Sequence, residues 1–106
     1  MRIFLTGATG LLGGSLLTLL LAGGYEVRCL VREGSAGTSR LAGRPVEVFC
    51  GDAGEARDLS RALSGFAADA VVHVAGIEYA PQVVAAAREA GIERLLVVGS
   101  TSAHSA

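Results

Sequence analysis

Lysine, asparagine and tryptophan are absent from this sequence of 106 residues, and its nine basic residues are all arginines. Without lysine the chain has no Walker-type phosphate loop and no Schiff-base or catalytic lysine. A net charge of −1 provides no basic surface of the kind that binds nucleic acid. No apolar run reaches the ~18 residues of a membrane-spanning helix. We therefore expect neither nucleic acid nor a membrane as a partner.

Cysteine is also scarce: the sequence has two, Cys29 and Cys50, each in a predicted strand. Two cysteines are too few for a disulfide scaffold, and they lack the spacing of a metal site, so we expect no metal. The favoured interpretation is a pair of buried, reduced thiols in a cytoplasmic protein.

Apolar residues are abundant, since 51% of the chain is hydrophobic and the mean hydropathy is +0.50. This composition without a membrane span is typical of a parallel sheet that is covered on both faces. The alternative for residues 2–22 is a secretory signal peptide, although Gly7, Gly10, Gly13 and Gly14 interrupt its apolar run.

Strands and helices alternate along the chain, which indicates an α/β doubly wound parallel sheet with right-handed crossovers. The predicted strands are Arg2–Leu5, Glu26–Val31, Val46–Cys50, Ala70–Val74 and Arg94–Val98. The predicted helices are Leu11–Ala22, Glu55–Leu63 and a third that begins near Pro81 and stops at Gly91.

Helical spacing places Leu12, Leu16, Leu19 and Leu20 on one face of the first helix. Further leucines lie off that face, so the helix is apolar nearly all round, and we expect a partner or another segment to cover it. The inward positions predicted in the two later helices are Leu59, Ala62, Leu63, Val83, Val84 and Ala87.

The stretch RIFLTGATGLLG, residues 2–13, combines a buried strand, a tight turn and the start of a helix. Unpaired N–H groups and a partial positive charge at a helix N-terminus favour a diphosphate. Gly7, Gly10 and Gly13 would permit the sharp turn, the approach of a ligand and close packing of the helix. The stretch therefore predicts a phosphate site.

TGATGLLG resembles the TGxxGxxG fingerprint of the short-chain dehydrogenase/reductase superfamily, and its wording is closest to the extended and atypical branches. These branches include epimerase/dehydratase-like and NmrA-like proteins. GD after the third strand, HVAG at the fourth and REAGIERLLVVGS into the fifth are similar to landmarks of the same families. The resemblance implies a five-stranded Rossmann domain of order 3-2-1-4-5 over residues 1–106, as the N-terminal part of a larger protein.

The resemblance also implies a dinucleotide whose pyrophosphate contacts Gly7, Ala8, Thr9, Gly10, Leu11, Leu12 and Gly13. At the end of the second strand, an acidic residue binds the ribose of NAD, and a basic residue pairs with the 2′-phosphate of NADP. Val31 cannot bind ribose hydroxyls, whereas Arg32 can pair with a 2′-phosphate. NADP is therefore favoured, and Arg40 could add a second contact. Glu33 argues for NAD, and Arg32 is alternatively a solvated charge.

Asp52 resembles the family residue that hydrogen-bonds the adenine amino group, with Ala53 beside it, although it could equally cap its own turn.

His73 is favoured as a buried structural histidine rather than a catalyst. We expect the nicotinamide ribose to lie against the backbone of three small residues, Val74, Ala75 and Gly76. The alternative is that these residues serve only strand packing and a turn.

Ser100 resembles the family serine that orients the substrate carbonyl or hydroxyl, with the next two residues as alternatives and a polar turn as the competing interpretation. The family's proton donor, a Tyr-x-x-x-Lys pair, is missing because the sequence has no lysine. Tyr25 and Tyr79 precede the fifth strand and are poor substitutes, and His104 is a weak one.

These features predict the NAD(P)-binding part of an oxidoreductase or sugar-nucleotide epimerase/dehydratase, acting on a small-molecule substrate by hydride transfer at a carbonyl or carbinol carbon. The alternative is a non-catalytic NADP(H)-binding sensor of the NmrA-like type. A structural α/β domain without a ligand is a third hypothesis. A Tyr-x-x-x-Lys sequence after residue 106 would support the enzyme over the sensor.

Overall fold

The computed structural model describes residues 1–8, 11–32, 41, 43–74 and 77–98. The strands in this part of the chain are β1 (Arg2–Thr6), β2 (Glu26–Val31), β3 (Glu47–Cys50), β4 (Ala70–His73) and β5 (Arg94–Val97). The helices are α1 (Leu11–Ala22), α2 (Ala56–Leu63) and α3 (Ala80–Glu89), the last preceded by a 3-10 turn (Ile77–Tyr79).

The five strands form one parallel sheet in the order β3-β2-β1-β4-β5, which confirms the predicted doubly wound fold. Strand ends differ from the prediction by about one residue. β3 begins after Val46, because the amide of Val46 donates to the carbonyl of Arg44 in a turn instead of joining the sheet. The 3-10 turn before α3 was not predicted.

The three central strands, β2, β1 and β4, are buried on both faces, as apolar strands of a parallel sheet require, whereas the edge strands β3 and β5 are largely exposed. On one face, α1 packs over Ile3, Leu5, Val27 and Cys29. On the other face, Phe4, Leu30 and Val71 pack against α2 and α3, which contribute Leu59, Ala62, Leu63, Val83, Ala86 and Ala87. No helix within residues 11–32, 43–74 or 77–98 is long and apolar enough to cross a bilayer.

The inward face of α1 is partly the leucine face that the periodicity predicts, because Leu16 and Leu20 pack against the core. Leu17 is fully buried, whereas Leu12 and Leu19 are 50% and 69% exposed. The reason is a close backbone contact: a Cβ on Gly13 would overlap the carbonyl oxygen of Gly7 and lie 2.6 Å from its carbonyl carbon. Gly13 therefore faces the end of β1, and Leu17, one turn later, shares its side of the helix.

The inward face of α3 is also partly corrected. Val83 and Ala87 are buried as predicted, but Ala86 is buried and Val84 is not. Ala86 lies beside Ser60 and Leu63 of α2, and the helix turns this small side chain toward its neighbour. Burial of Leu59, Ala62 and Leu63 in α2 is confirmed.

Two arginines hold α2 to the amino edge of the sheet. The Arg28 guanidinium donates to the carbonyl of Ala62 at 2.7 Å and lies 4.7 Å from the ring centre of Phe66. Arg2 donates to the carbonyl of Phe66 at 2.8 Å, and its amide donates to the Asp69 carboxylate at 2.7 Å. A cation at the last carbonyls of a helix satisfies acceptors that the helix itself cannot pair.

The two cysteines occupy different environments, which corrects the expectation that both are buried. Cys29 in the central part of the sheet is fully buried, whereas Cys50 on the edge strand is exposed. Burial raises the pKa of the Cys29 thiol to about 11, although the charge of Arg44 opposes this shift.

We expect iodoacetamide at pH 8 to modify Cys50 and to spare Cys29 in the folded chain. The thiolate is the reactive form, and burial keeps Cys29 both protonated and inaccessible. Mass spectrometry of the folded chain should show one adduct, and the chain unfolded in guanidinium should show two. Rapid double labelling without denaturant would contradict the burial of Cys29.

We expect Gly13→Ala to destabilise the fold by about 1–3 kcal/mol or more, because its methyl group would overlap sterically with the carbonyl oxygen of Gly7. Gly14→Ala is the matched control: its Cβ meets nothing closer than the Ala8 carbonyl oxygen at 3.5 Å. The control should be neutral or gain up to about 1 kcal/mol of helix propensity. Urea unfolding of both variants measures the difference, and equal midpoints would rule out the close contact.

Candidate functional site

The carboxyl edge of the sheet carries the predicted strand-end site residues that the structure describes, because all five strands run in the same direction. The register pairs Thr6 with Leu30 and His73, and Val31 with Cys50. The described positions that follow these strand ends are Gly7, Ala8, Arg32, Asp52, Ala53 and Val74. The structure therefore brings these positions to one edge.

The described part of the turn after β1 combines a left-handed glycine with a close contact to α1. Gly7 has a φ of +77°, a left-handed conformation that side chains disfavour. Ala8 is buried, and the contact at Gly13 holds the N-terminus of α1 against the turn. Thr9 and Gly10 lie outside the described residues. The first amides of a helix have no partner within the helix, so the start of α1 at this edge is the candidate position for a dinucleotide phosphate.

Leu11 and Leu12 open α1 at this turn. The Leu12 side chain is half exposed on the outer side of the helix, and only the backbone of Leu11 is described. A leucine side chain has no hydrogen-bond donor, so any contact of these two residues with a phosphate would come from their amides in the first helical turn.

A buried hydrogen bond joins the ends of β1 and β4 beside the turn. The Oγ1 of Thr6 lies 2.7 Å from Nδ1 of His73, and both residues are at most 1% exposed. The amide of Val74 donates to the same Oγ1 at 3.1 Å, so the hydroxyl can give its own hydrogen to Nδ1. The interpretation of His73 as a buried, hydrogen-bonded histidine is confirmed. Thr6 was missed, although a threonine ending an apolar strand was a signal.

Arg32 follows β2 at this edge and is exposed. It makes no hydrogen bond or ion pair with another described residue, so its guanidinium can reach a ligand. Val31 is buried in the sheet and cannot contact a ribose. Glu33 and Arg40, the other residues considered for cofactor choice, lie outside the described residues.

The Asp52 carboxylate is fixed by its own turn. Its Oδ1 accepts from the amide of Gly54 at 2.8 Å, while its amide donates to the Asp58 carboxylate at 2.9 Å. Oδ2 accepts no hydrogen bond from the described residues. The two interpretations of Asp52 are therefore compatible: one oxygen caps the turn, and the other can accept from a ligand. Ala53 beside it is partly buried.

Val74, the described member of the small-residue segment after β4, is buried at 8% exposure. Ala75 and Gly76 lie outside the described residues, as do Ser100 and His104. Within the described ranges, no group of three His, Cys, Asp or Glu residues could hold a metal ion.

Tyr79, considered above only as a poor proton donor, reaches this edge from the 3-10 turn. A Cβ on Gly54 would lie 3.0 Å from Cε1 and 3.1 Å from Cδ1 of its ring. The ring therefore packs against the turn that holds Asp52. No sequence pattern pairs these positions, because the contact joins two loops that follow different strands.

The whole chain, residues 1–106, matches the model of the NmrA-like family. An oxidase called ucsJ from Acremonium sp. is 38% identical over 82% of this chain and 25% of its own length. A 4-hydroxy-2-methyl-3-oxo-4-farnesyl-3,4-dihydroquinoline-1-oxide ketoreductase from Stigmatella aurantiaca is 33% identical over 94% of this chain and 34% of its own. The chain thus spans about a quarter to a third of these curated relatives.

Two solved structures are similar to the chain in both fold and sequence. A nucleoside-diphosphate-sugar epimerase from Pseudomonas aeruginosa superposes with a TM-score of 0.80 at 28% identity, over 93% of this chain and 33% of its own. The enzyme WbmG of Bordetella bronchiseptica, solved in complex with NAD, has the same score and identity over 92% of this chain and 36% of its own. The sequence resemblance is confirmed, and the chain belongs to the NmrA-like family.

Proposed function

We propose that this chain is the NAD(P)-binding part of an oxidoreductase or sugar-nucleotide epimerase/dehydratase. The observation that carries the proposal is the glycine turn at the switch point of the sheet. There, the left-handed Gly7 and the contact at Gly13 direct the N-terminus of α1 into the crevice between the ends of β1 and β4. Similarity to a ketoreductase and to a sugar-nucleotide epimerase supports it.

The residues at this edge would hold the parts of the dinucleotide in order. The turn at residues 7–13 binds the diphosphate through backbone amides, and Oδ2 of Asp52 accepts from the adenine amino group. The backbone at Val74, Ala75 and Gly76 borders the nicotinamide ribose. When bound, the nicotinamide supplies or accepts a hydride at a carbonyl or carbinol carbon, and Ser100 orients that group.

NADP is the proposed cofactor, with NAD as the alternative. An exposed arginine directly after β2 matches the 2′-phosphate of NADP, and a guanidinium can bind two phosphate oxygens at once. WbmG was solved with NAD, which supports a nicotinamide dinucleotide in general. The preference for NADP over NAD therefore rests on Arg32.

A regulatory role without catalysis is the second candidate, because the whole chain matches the NmrA-like family, whose resemblance allows a dinucleotide-binding sensor. A sensor needs the phosphate turn and Arg32 but no proton donor. Both candidates bind the dinucleotide, and they differ in turnover.

We expect Arg32→Ala to weaken NADPH binding about ten- to a hundredfold, because loss of a charged hydrogen bond costs ~1.5–3 kcal/mol. NADH binding should be nearly unchanged. Arg61→Ala removes the same charge from the exposed last turn of α2 and should leave both affinities unchanged. Calorimetric titration of the three proteins measures this, and a wild-type NADPH affinity in Arg32→Ala would exclude the assigned contact.

We also expect the 106-residue chain to bind NADPH without turnover. Reduction of a carbonyl needs a proton donor, and general acid catalysis of this kind contributes ~10²–10⁴-fold. The chain should be mixed with NADPH and a panel of aldehydes, ketones and nucleotide sugars while the nicotinamide absorbance is followed. Saturable oxidation that disappears in Ser100→Ala would show a complete catalytic site and contradict this prediction.

A further inference from the structure

Tyr79 and Gly54 meet across the carboxyl edge from loops that follow β4 and β3. Two strands, β2 and β1, lie between β3 and β4, so the two strand ends are separated by about three spacings of ~4.8 Å. The loops therefore reach toward each other beside the ends of β2 and β1. The contact between Tyr79 and Gly54, called the wall below, lies next to Asp52 at the carboxyl edge.

The turn at Gly54 sets the position of the ring and of the carboxylate together. A Cβ at this position would lie 3.0 Å from the Tyr79 ring and 3.3 Å from Oδ1 of Asp52, and the Gly54 amide holds that same oxygen. Tyr79 is half-buried, so part of this residue remains accessible.

We propose that Tyr79 is a specificity-determining residue of the adenine site, where its ring packs against the base while Asp52 accepts from the amino group. The inference rests on the proposed function and names the residue that selects the adenosine half. Aromatic rings prefer offset or edge contacts with other π-systems, and a planar base offers such a surface. The amino group assigned to Asp52 and the diphosphate assigned to the glycine turn define the ligand class as an adenosine diphosphate ester, and nicotinamide mononucleotide should make no use of Tyr79.

The sequence provides a direct optical test of this contact. It contains two tyrosines and no tryptophan, so emission excited in the tyrosine band, beyond phenylalanine absorption, comes from Tyr25 and Tyr79 alone. Tyr25 precedes β2 at the opposite, amino edge, and it packs on a glycine in the same way: a Cβ on Gly23 would lie 3.0 Å from its Cε2. Each substitution at Tyr79 or Gly54 thus has a matched control at Tyr25 or Gly23.

In the Tyr25→Phe background, ADP-ribose should quench the remaining tyrosine emission, and reduced nicotinamide mononucleotide should not. By calorimetry, Tyr79→Leu should weaken ADP-ribose binding about five- to a hundredfold, the range found for loss of one aromatic–base contact. Tyr79→Phe and Tyr25→Leu should bind ADP-ribose like the wild type. Affinity for reduced nicotinamide mononucleotide should be the same in all of these proteins.

Gly54→Ala tests the same wall without altering a residue assigned to the ligand. Its φ is not left-handed, so alanine fits the backbone, and the new methyl group must push the Tyr79 ring. We expect weaker ADP-ribose binding in Gly54→Ala and none of this effect in Gly23→Ala.

The inference is overturned if emission is unquenched at saturating ADP-ribose, or if Tyr79→Leu and Gly54→Ala both bind it like the wild type. Either result with NADPH still bound leaves the proposed function intact. A wild-type chain that binds neither NADPH nor NADH contradicts the proposed function and this inference together.

Discussion

α1 approaches the end of β1 so closely that position 13 has no room for a side chain. This contact determines the rotation of the helix, which turns Leu17 into the core and leaves Leu12 and Leu19 outside. It also fixes where the unpaired amides of the first helical turn point. The left-handed Gly7 completes the same arrangement, so a steric limit on two glycines becomes the shape of a phosphate turn.

The two edges of the sheet are held by different interactions. At the amino edge, the guanidinium groups of Arg2 and Arg28 contact the Phe66 ring and donate to backbone carbonyls. These contacts anchor the end of α2. At the carboxyl edge, the bond of Thr6 to His73 and the turn of Asp52 use short polar side chains. Charge thus serves stability at one edge, while the guanidinium of Arg32 stays exposed at the other.

The sheet order and the strand-end positions of Arg32 and Asp52 could be predicted because both follow from local patterns and from the family fingerprint. The burial of Leu17 could not, since leucines surround α1 and a glycine contact selects the inner face. Nor could the contact between Tyr79 and Gly54, which depends on how two loops meet. Periodicity records which side chains are apolar, but it does not record which backbone segments touch.

The central position of β1 has a consequence for how the chain is made. β1 leaves the ribosome before β4, and its partner in β4 lies 67 residues later, as the pair Thr6 and His73 shows. At ~5–20 residues per second, translation needs roughly 3–13 s to supply that partner. Until then an apolar strand has an unpaired edge, a template for aggregation. The strand that leads into the glycine turn is therefore exposed to such mispairing during synthesis.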